Sequence, residues 1–427
     1  MMQHAQPIGF QSDSALLERW FSDIATMTAD VAGVSRPAYS AKETAVLDYL
    51  RNEARTLGLA ASFDAGQNLV VSLPHDASAA RFTLIGSHVD SVPQGGNYDG
   101  LAGVLAGLAV LVRARRGDLA LARPTKLIAL RGEESSWFGP CYIGSKALLG
   151  ALTAEEAGAQ HARDGRPLLA HMADIGVDVD RVGTRTPLMP ATAIHAYVEL
   201  HIEQGPVLVE RNIPVAVVSG IRGNLRHKRI VAFGEAGHSG AVPGAYRHDP
   251  VLAVSALLAE LDAHWQRLLA REQDVAVTVG TIGTDPTTSA LSRIPDKIAF
   301  SLDIRSKDAK TLDEMRGWLG EAFARISEER GIRFEIDGEI YTPPALCDED
   351  IVSRLSDAQI ATGLKPYVMA SGGGHDAAVF AGSGVPSGML FVRNRNGSHN
   401  PAEAMDIDDL LEGIAVLCSF VQRKNRT

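Results

Sequence analysis

Apolar positions in the first half of the chain fall into short β-type runs, LVVSLP (69–74), RFTLIGSH (81–88), TKLIALRG (125–132) and AIHAYVELHI (193–202). Stretches of helical spacing around 101–115 and 153–174 separate them. Strand runs alternating with helices predict an α/β sheet covered by helices. Ser40-Ala-Lys-Glu43 ahead of TAVLDYLRNEARTLG has the form of a capping box, with Gly58 as the stop. The apolar run 100–112 is shorter than the roughly 18 residues of a membrane span and reads as a buried helix.

From about Pro214 the pattern changes. Strand runs VAVVSGIRG, RIVAFGEAG, DVAVTVGTIG, KIAFSLDIRS and RFEIDGEIY are interleaved with two long amphipathic helices, 249–270 and 311–330. Leu and Ala at i, i+3 and i+4 with charges between them predict helices lying on one face of an antiparallel sheet. After about Thr342 the α/β texture returns and ends in IDDLLEGIAVLCSFVQRK, a helix with basic residues in its last turn. The expected organisation is an α/β domain built from 1–213 and 343–427, with an α+β domain, 214–342, inserted between its halves.

Composition narrows the function classes. Of 427 residues, 45% are hydrophobic and 22% charged, the balance of a folded globular chain. A net charge of −10 repels phosphate backbones, so nucleic acid is not an expected partner. Cys141, Cys347 and Cys418 form no CxxC pair, which suggests neither a disulfide framework nor a thiolate metal site. The opening MMQHAQPIGFQSD has no basic stretch followed by an apolar core, so no secretory signal is read and a cytoplasmic protein without membrane association is expected.

Candidate chemistry is concentrated in four segments: GSHVDSVPQGGNYDG (86–100), RGEESSWFG (131–139), ELHIEQGP (199–206) and NGSHNPAEAMD (396–406). Each sets His or carboxylate among small residues, and His88, Glu133, Glu134 and His201 lie at or just past the end of a β-run, where open α/β sheets bind ligands. Oxygen and imidazole donors without thiolate suit zinc, manganese, cobalt or nickel, and a carboxylate between two imidazole-bearing segments can bridge a pair of ions. In His88-Val89-Asp90 the strand period of two places both side chains on one face, so Asp90 is expected to accept the other imidazole N–H. On a strand Glu133 and Glu134 face opposite ways, which allows one to bind metal and the other to act as a base. The glycines of 372–374 lack a nucleotide fingerprint, and no G-x-S-x-G elbow supports a serine nucleophile.

Together with AGHSG (236–240), SLDIR (301–305) and SGGGHDA (371–377), these segments resemble the amidase/hydantoinase/carbamoylase branch of the M20 metallopeptidase-like hydrolases over about residues 15–420. That branch includes N-carbamoyl-L-amino acid hydrolases, β-ureidopropionases and allantoate amidohydrolases. The resemblance implies an M20-type α/β catalytic domain with an inserted α+β lid or dimerisation domain, in a homodimer. It implies two divalent ions per subunit, zinc before manganese, cobalt or nickel, held by His88, Asp99, Glu134, His201 and His399, with Asp99 bridging. It makes Glu133 the general base for a metal-bridged water whose hydroxide attacks a ureido carbonyl. His238 resembles a histidine that family members supply from the partner subunit to the oxyanion.

Arg305 offers a bidentate fork for a substrate carboxylate, and the resemblance adds Gln204 and His375 as substrate contacts. Ser292 stands where the family commonly has Asn, replacing an amide by a short hydroxyl. Arg393 and Arg395 form a basic loop before His399 that offers a second anionic contact. The expected activity is hydrolysis of N-carbamoyl-L-amino acids to amino acid, ammonia and carbon dioxide. An allantoate or other ureido-acid amidohydrolase is the alternative, then an aminoacylase or dipeptidase. A metal-binding scaffold of the same fold is the non-enzymatic one.

Overall fold

The computed structural model describes residues 12–422. Residues 1–11 of the segment read for a secretory signal, and the basic residues 423 and 424 assigned to the last helical turn, lie outside them. The chain divides into two compact units, 1–220 with 346–427 and Ile221–Ala345.

The larger unit is built on a twisted mixed sheet. Its centre is parallel: Thr125–Leu130, Phe82–His88, Ile194–Ile202 and Ser387–Val392 lie side by side in that order. Antiparallel strands flank it, Leu69–Ser72 and Ala60–Phe63 on one side and Val215–Ile221 on the other. Every residue of Phe82–His88, Thr125–Leu130 and Ser387–Val392 is buried, as expected for strands covered on both faces. The helix Asp99–Arg116 is buried from Asp99 to Val112 because it lies against the central strands, and Gly103 lets it touch: a Cβ there would come within 1.9 Å of the Leu200 carbonyl oxygen.

Three expectations change. Val215–Ile221, assigned to the inserted domain, pairs with Ser387–Val392 in the larger sheet, since its apolar start, 215–218, suits a strand buried on both faces. The helical stretch 153–174 is two short helices, Ala154–Ala157 and Leu168–Asp174, because Gly158, Gly165 and Pro167 interrupt it with a hairpin bridging Gln160 and Pro167. The capping box at Ser40 is half formed. Ser40 Oγ accepts the Glu43 N–H (3.3 Å), but the Glu43 carboxylate accepts from Tyr39 N (2.8 Å) and turns towards Arg131.

The smaller unit is an antiparallel sheet centred on Gly223–Phe233 and Lys297–Ser306. Alternate residues Ile298, Phe300, Leu302 and Ile304 are buried with Leu257, Leu261, Met315 and Leu319 of the helices Pro250–Ala270 and Ala309–Arg330. Among the described residues no helix is long and apolar enough to cross a membrane.

Candidate metal centre

The carboxyl ends of the parallel strands converge on one group of side chains. His88 closes the strand Phe82–His88, His201 comes from Ile194–Ile202, Glu133 and Glu134 follow Thr125–Leu130, and His399 follows Ser387–Val392. Asp99 is the first residue of the helix Asp99–Arg116, where the helix dipole favours a carboxylate. Its two oxygens face different partners. Oδ1 lies 2.8 Å from His201 Nε2 and 3.9 Å from His88 Nε2, while Oδ2 lies 3.3 Å from His399 Nε2. His399 Nε2 is also 3.1 Å from Glu134 Oε1. Two triads of donor atoms result, His88–Asp99–His201 and Asp99–Glu134–His399, sharing Asp99.

The donor set fits divalent cations. His201 Nδ1 meets the Ile202 carbonyl oxygen at 2.9 Å, so a neutral ring carries its proton there and turns a bare Nε2 towards Asp99. Asp99 Oδ1 is buried and receives no hydrogen bond. A lone pair facing an unsatisfied carboxylate oxygen is an arrangement that a cation stabilises. His88 Nδ1 lies 3.2 Å from the Asp90 carbonyl oxygen and 3.4 Å from its carboxylate, which likewise leaves Nε2 towards Asp99. Burial opposes the charge on Asp99, yet His201, His399 and His88, when protonated, hold its carboxyl well below the usual range. Asp99 and Glu134 push His399 up to about 10.

Asp90 does more than orient a ring. Its carboxylate accepts the backbone N–H of Glu133 (2.9 Å) and of Glu134 (3.0 Å), shaping the turn that carries both. That turn is not strand, as the sequence reading had it: the strand ends at Leu130 and Gly132 has φ +61°, a backbone glycine adopts without strain. The two side chains still separate. Glu134 joins a donor triad, while Glu133 stays outside both, its Oε2 4.0 Å from His88 Nε2. Burial pushes the Glu133 carboxyl well above its ordinary range, His88 draws it back, and Glu134, Asp376 and Asp90 add to the rise.

Gln204 reaches the same place, its amide nitrogen 3.2 Å from His399 Nε2. His375 does not present Nε2 to a substrate. Ser371 Oγ donates to the Gly373 carbonyl (2.8 Å) and so accepts from His375 Nε2 (2.8 Å), and the buried ring packs edge-on against His201 with centroids 4.5 Å apart. The basic loop is also neutralised: Arg393 forms a two-pronged pair with Asp409 (2.7 and 2.8 Å), and Arg395 pairs with Asp406.

The remaining candidates belong to the smaller unit. His238 is exposed on the two-residue strand Gly237–His238, paired with Arg293–Ile294, and the Ser292 carbonyl accepts the Ser239 N–H (3.0 Å), which brings His238 and Ser292 together. Gly240 N–H donates to His238 Nδ1 (3.2 Å), leaving the neutral ring's proton on an outward Nε2. Arg305 grips Asp303 (Nε–Oδ1 3.1 Å, Nη2–Oδ2 2.9 Å), which Arg226 also contacts, on the sheet face opposite the helices.

Sequence reasoning missed three buried supports. Glu403 accepts the N–H of Tyr98 (2.8 Å) and Asp99 (3.1 Å) and the Ser398 hydroxyl (2.9 Å), fixing the start of the Asp99 helix to the His399 loop. Its place four residues after His399 was the available signal. Glu203 caps Val207 and Leu208 behind Gln204. Arg36 is fully buried, donating to the Val89 carbonyl (2.6 Å) and Asn97 (3.0 Å), and burial lowers it to about 10 against the pull of Asp90 and Asp99. Nothing in its local sequence marks it.

A buried carboxylate shared between two donor triads, at the carboxyl edge of an α/β sheet, is the geometry of a candidate metal centre. The chain belongs to the peptidase family M20/M25/M40, whose pattern matches residues 84–423, and it is a hydrolase of carbon–nitrogen bonds in linear amides. It is 34% identical over 387 residues to the N-carbamoyl-L-amino acid amidohydrolase of Geobacillus stearothermophilus, covering 90% of this chain and 92% of that one. It is 31% identical over 396 residues to the allantoate amidohydrolase of Escherichia coli strain K12, covering 92% and 94%. A hydantoinase/carbamoylase family amidase from Burkholderia ambifaria superposes with TM-score 0.83 at 31% identity, over 96% of this chain and 95% of that one.

Proposed function

We propose that the protein hydrolyses the ureido group of N-carbamoyl-L-amino acids, consuming one water and releasing amino acid, ammonia and carbon dioxide. The observation that carries this reading is the division of labour around Asp99: one carboxylate common to two donor triads, with Glu133 buried beside them and outside both. His88, Asp99 and His201 would hold one divalent ion and Asp99, Glu134 and His399 a second. Such ions, when bound, supply Lewis acidity that acidifies water and polarises a carbonyl.

The chain's own residues do the rest. Glu133 takes the proton of the attacking water and returns it to the leaving nitrogen. Asp90 keeps Glu133 and Glu134 in register, and Gln204 orients the substrate beside His399. His238, through its outward Nε2–H, donates to the oxyanion of a partner subunit's substrate. Exposed Leu291 and Ile282 on the same unit support its role in pairing two chains as a lid and dimerisation domain. Arg305 binds the substrate carboxylate by exchanging it for Asp303, with Ser292 in place of an amide contact. His375 acts as a positioning residue behind His201. We place the protein in the cytoplasm, where its three unpaired cysteines would stay reduced.

Allantoate is the second reading, favoured by the similarity to the Escherichia coli enzyme over nearly the whole of both chains. Ammonia release from N-carbamoyl-L-amino acids, N-carbamoyl-β-alanine, allantoate and N-acetyl controls tests both, with zinc, manganese or cobalt and with chelator. Metal-dependent release from a carbamoyl amino acid is the expected result. Release from allantoate alone transfers the assignment, and silence on every ureido acid by protein that retains metal overturns it.

A further inference from the structure

A third group of donor atoms lies in the larger unit outside the centre built on Asp99: His161, Asp164 and His171. His161 Nδ1 is 3.1 Å from Asp164 Oδ1, and His171 Nε2 is 3.4 Å from both Asp164 oxygens. Four ligands at about 2.0–2.1 Å around a tetrahedral zinc ion stand roughly 3.3–3.4 Å from one another. The two His–Asp separations suit two edges of such a tetrahedron, and all three donor atoms lie within 4.8 Å of one another.

Local structure holds the rings in place. His161 stacks on Trp137 (centroids 6.1 Å, planes 10° apart), and Phe138 packs against His161 (5.0 Å) and edge-on against His171 (5.3 Å). The hairpin of 161–166 is closed by His161 N–H to the Arg166 carbonyl (2.9 Å) and Gly165 N–H to the His161 carbonyl (2.9 Å). The Asp164 backbone N–H also points at His161 Nδ1 in a long contact (3.4 Å), which makes Nδ1 the ring's unprotonated nitrogen. Nitrogen and oxygen donors so arranged are better satisfied by a cation than by a shared proton. Of the flanking cations, Arg166 is paired with Asp174 (2.9 Å) and the Arg163 guanidinium is held over the Trp137 ring.

We propose that His161, Asp164 and His171 bind a single zinc ion that braces the loop carrying Glu133 and Glu134. Three protein donors leave a fourth position towards an open cleft of about 690 Å³, which Tyr39, Ser40 and Trp137 also line. Mechanical connection to the loop is short. The Trp137 carbonyl accepts the Ala162 N–H (2.7 Å), and Trp137 Nε1 donates to the Ser91 carbonyl (2.8 Å), one residue from Asp90. The inference stands apart from the amidohydrolase reading, since it uses none of the donors around Asp99.

Equilibrium dialysis of the full chain against micromolar zinc chloride, with bound zinc counted by elemental analysis, tests it. The variant combining His161→Asn with His171→Asn is expected to hold one zinc per chain fewer than the parent. Asp164→Asn, at an exposed carboxylate whose loss spares the fold, is expected to lose the same equivalent. Asp99→Ala keeps it, which separates this ion from those at the shared carboxylate. An unchanged count in the Asp164 and double variants, or a third zinc taken up only at millimolar concentration, overturns the proposal.

Discussion

Adjacent carboxylates with the same chemistry are given different work by what surrounds them. Glu134 faces His399 and the shared Asp99, whereas Glu133 is buried without entering a donor triad. Glu133→Gln is therefore expected to retain metal and lose about two to four orders of magnitude in kcat, the usual contribution of a general base. Near-parental turnover with full metal content would remove Glu133 from the reaction. Asp90→Asn offers one acceptor oxygen where two backbone N–H groups need one each, and a buried donor left unpaired costs about 1–3 kcal/mol. Metal affinity should fall about 10–100-fold with it, and calorimetric titration that finds parental affinity sinks this role. Gly100 tests the centre by volume alone. A Cβ there would stand 2.2 Å from the His88 ring, so Gly100→Ala is expected to release metal while circular dichroism stays native. Unaltered metal retention would show that the ring has room to move.

At the scale of elements, two helices show how electrostatics join segments that the sequence keeps apart. Glu43, the third residue of Ala41–Thr56, accepts from Arg131 Nη1 (2.7 Å) and Gly132 N–H (3.1 Å), tying that helix to the turn of Glu133. Burial pushes Glu43 up to about 7 against the pull of Arg131. Further along the same helix, Glu53 accepts from Arg19 (2.5 Å) and Trp20 Nε1 (2.9 Å) of Asp13–Thr28. Burial raises the Glu53 carboxyl, but the Arg19 and Trp20 bonds prevail and leave it below its ordinary value. A carboxyl lowered by folding stabilises the protein above its unfolded value and loses that contribution as pH falls through the folded one. Glu53→Gln should cost about 1 kcal/mol at pH 7, since the pair is half-exposed. The Tm difference from parent should shrink below pH 4.5 and vanish once Glu53 is protonated, and a difference constant with pH would contradict the linkage.

For the whole molecule, the shared sheet edge explains why residues from both chain ends are needed. His399 lies 300 positions after Asp99 and 311 after His88, yet the strand Ser387–Val392 returns beside Ile194–Ile202 and restores their proximity. If His238 serves the partner's site, an enzyme carrying His238→Ala and one carrying Glu133→Gln are each inactive, but their hybrid holds one intact site. Equimolar mixing with random exchange should restore about a quarter of parental activity, because half the dimers are hybrids with one of two sites working. No recovery in verified hybrids places His238 in its own chain's reaction or in none.

Sequence alone determined what is written locally. Strand and helix periods, the break near Pro214, and His or carboxylate gathered among glycines at strand ends were legible because each depends on neighbours within a few residues. His88, Glu133, Glu134 and His201 could be singled out on that basis, whereas the resemblance supplied Asp99, His399 and the roles of all of them. Tertiary structure decided the rest. That Asp90 accepts two backbone N–H groups, that His375 faces Ser371, and that Arg393 and Arg395 are matched by Asp409 and Asp406 follow from long-range packing. Arg36 gives no local sign of its burial, and Glu403 gives only its place four residues after His399. Val215–Ile221 joined the larger sheet because pairing is chosen by which edge is free to bury an apolar strand, and only the folded chain presents that edge.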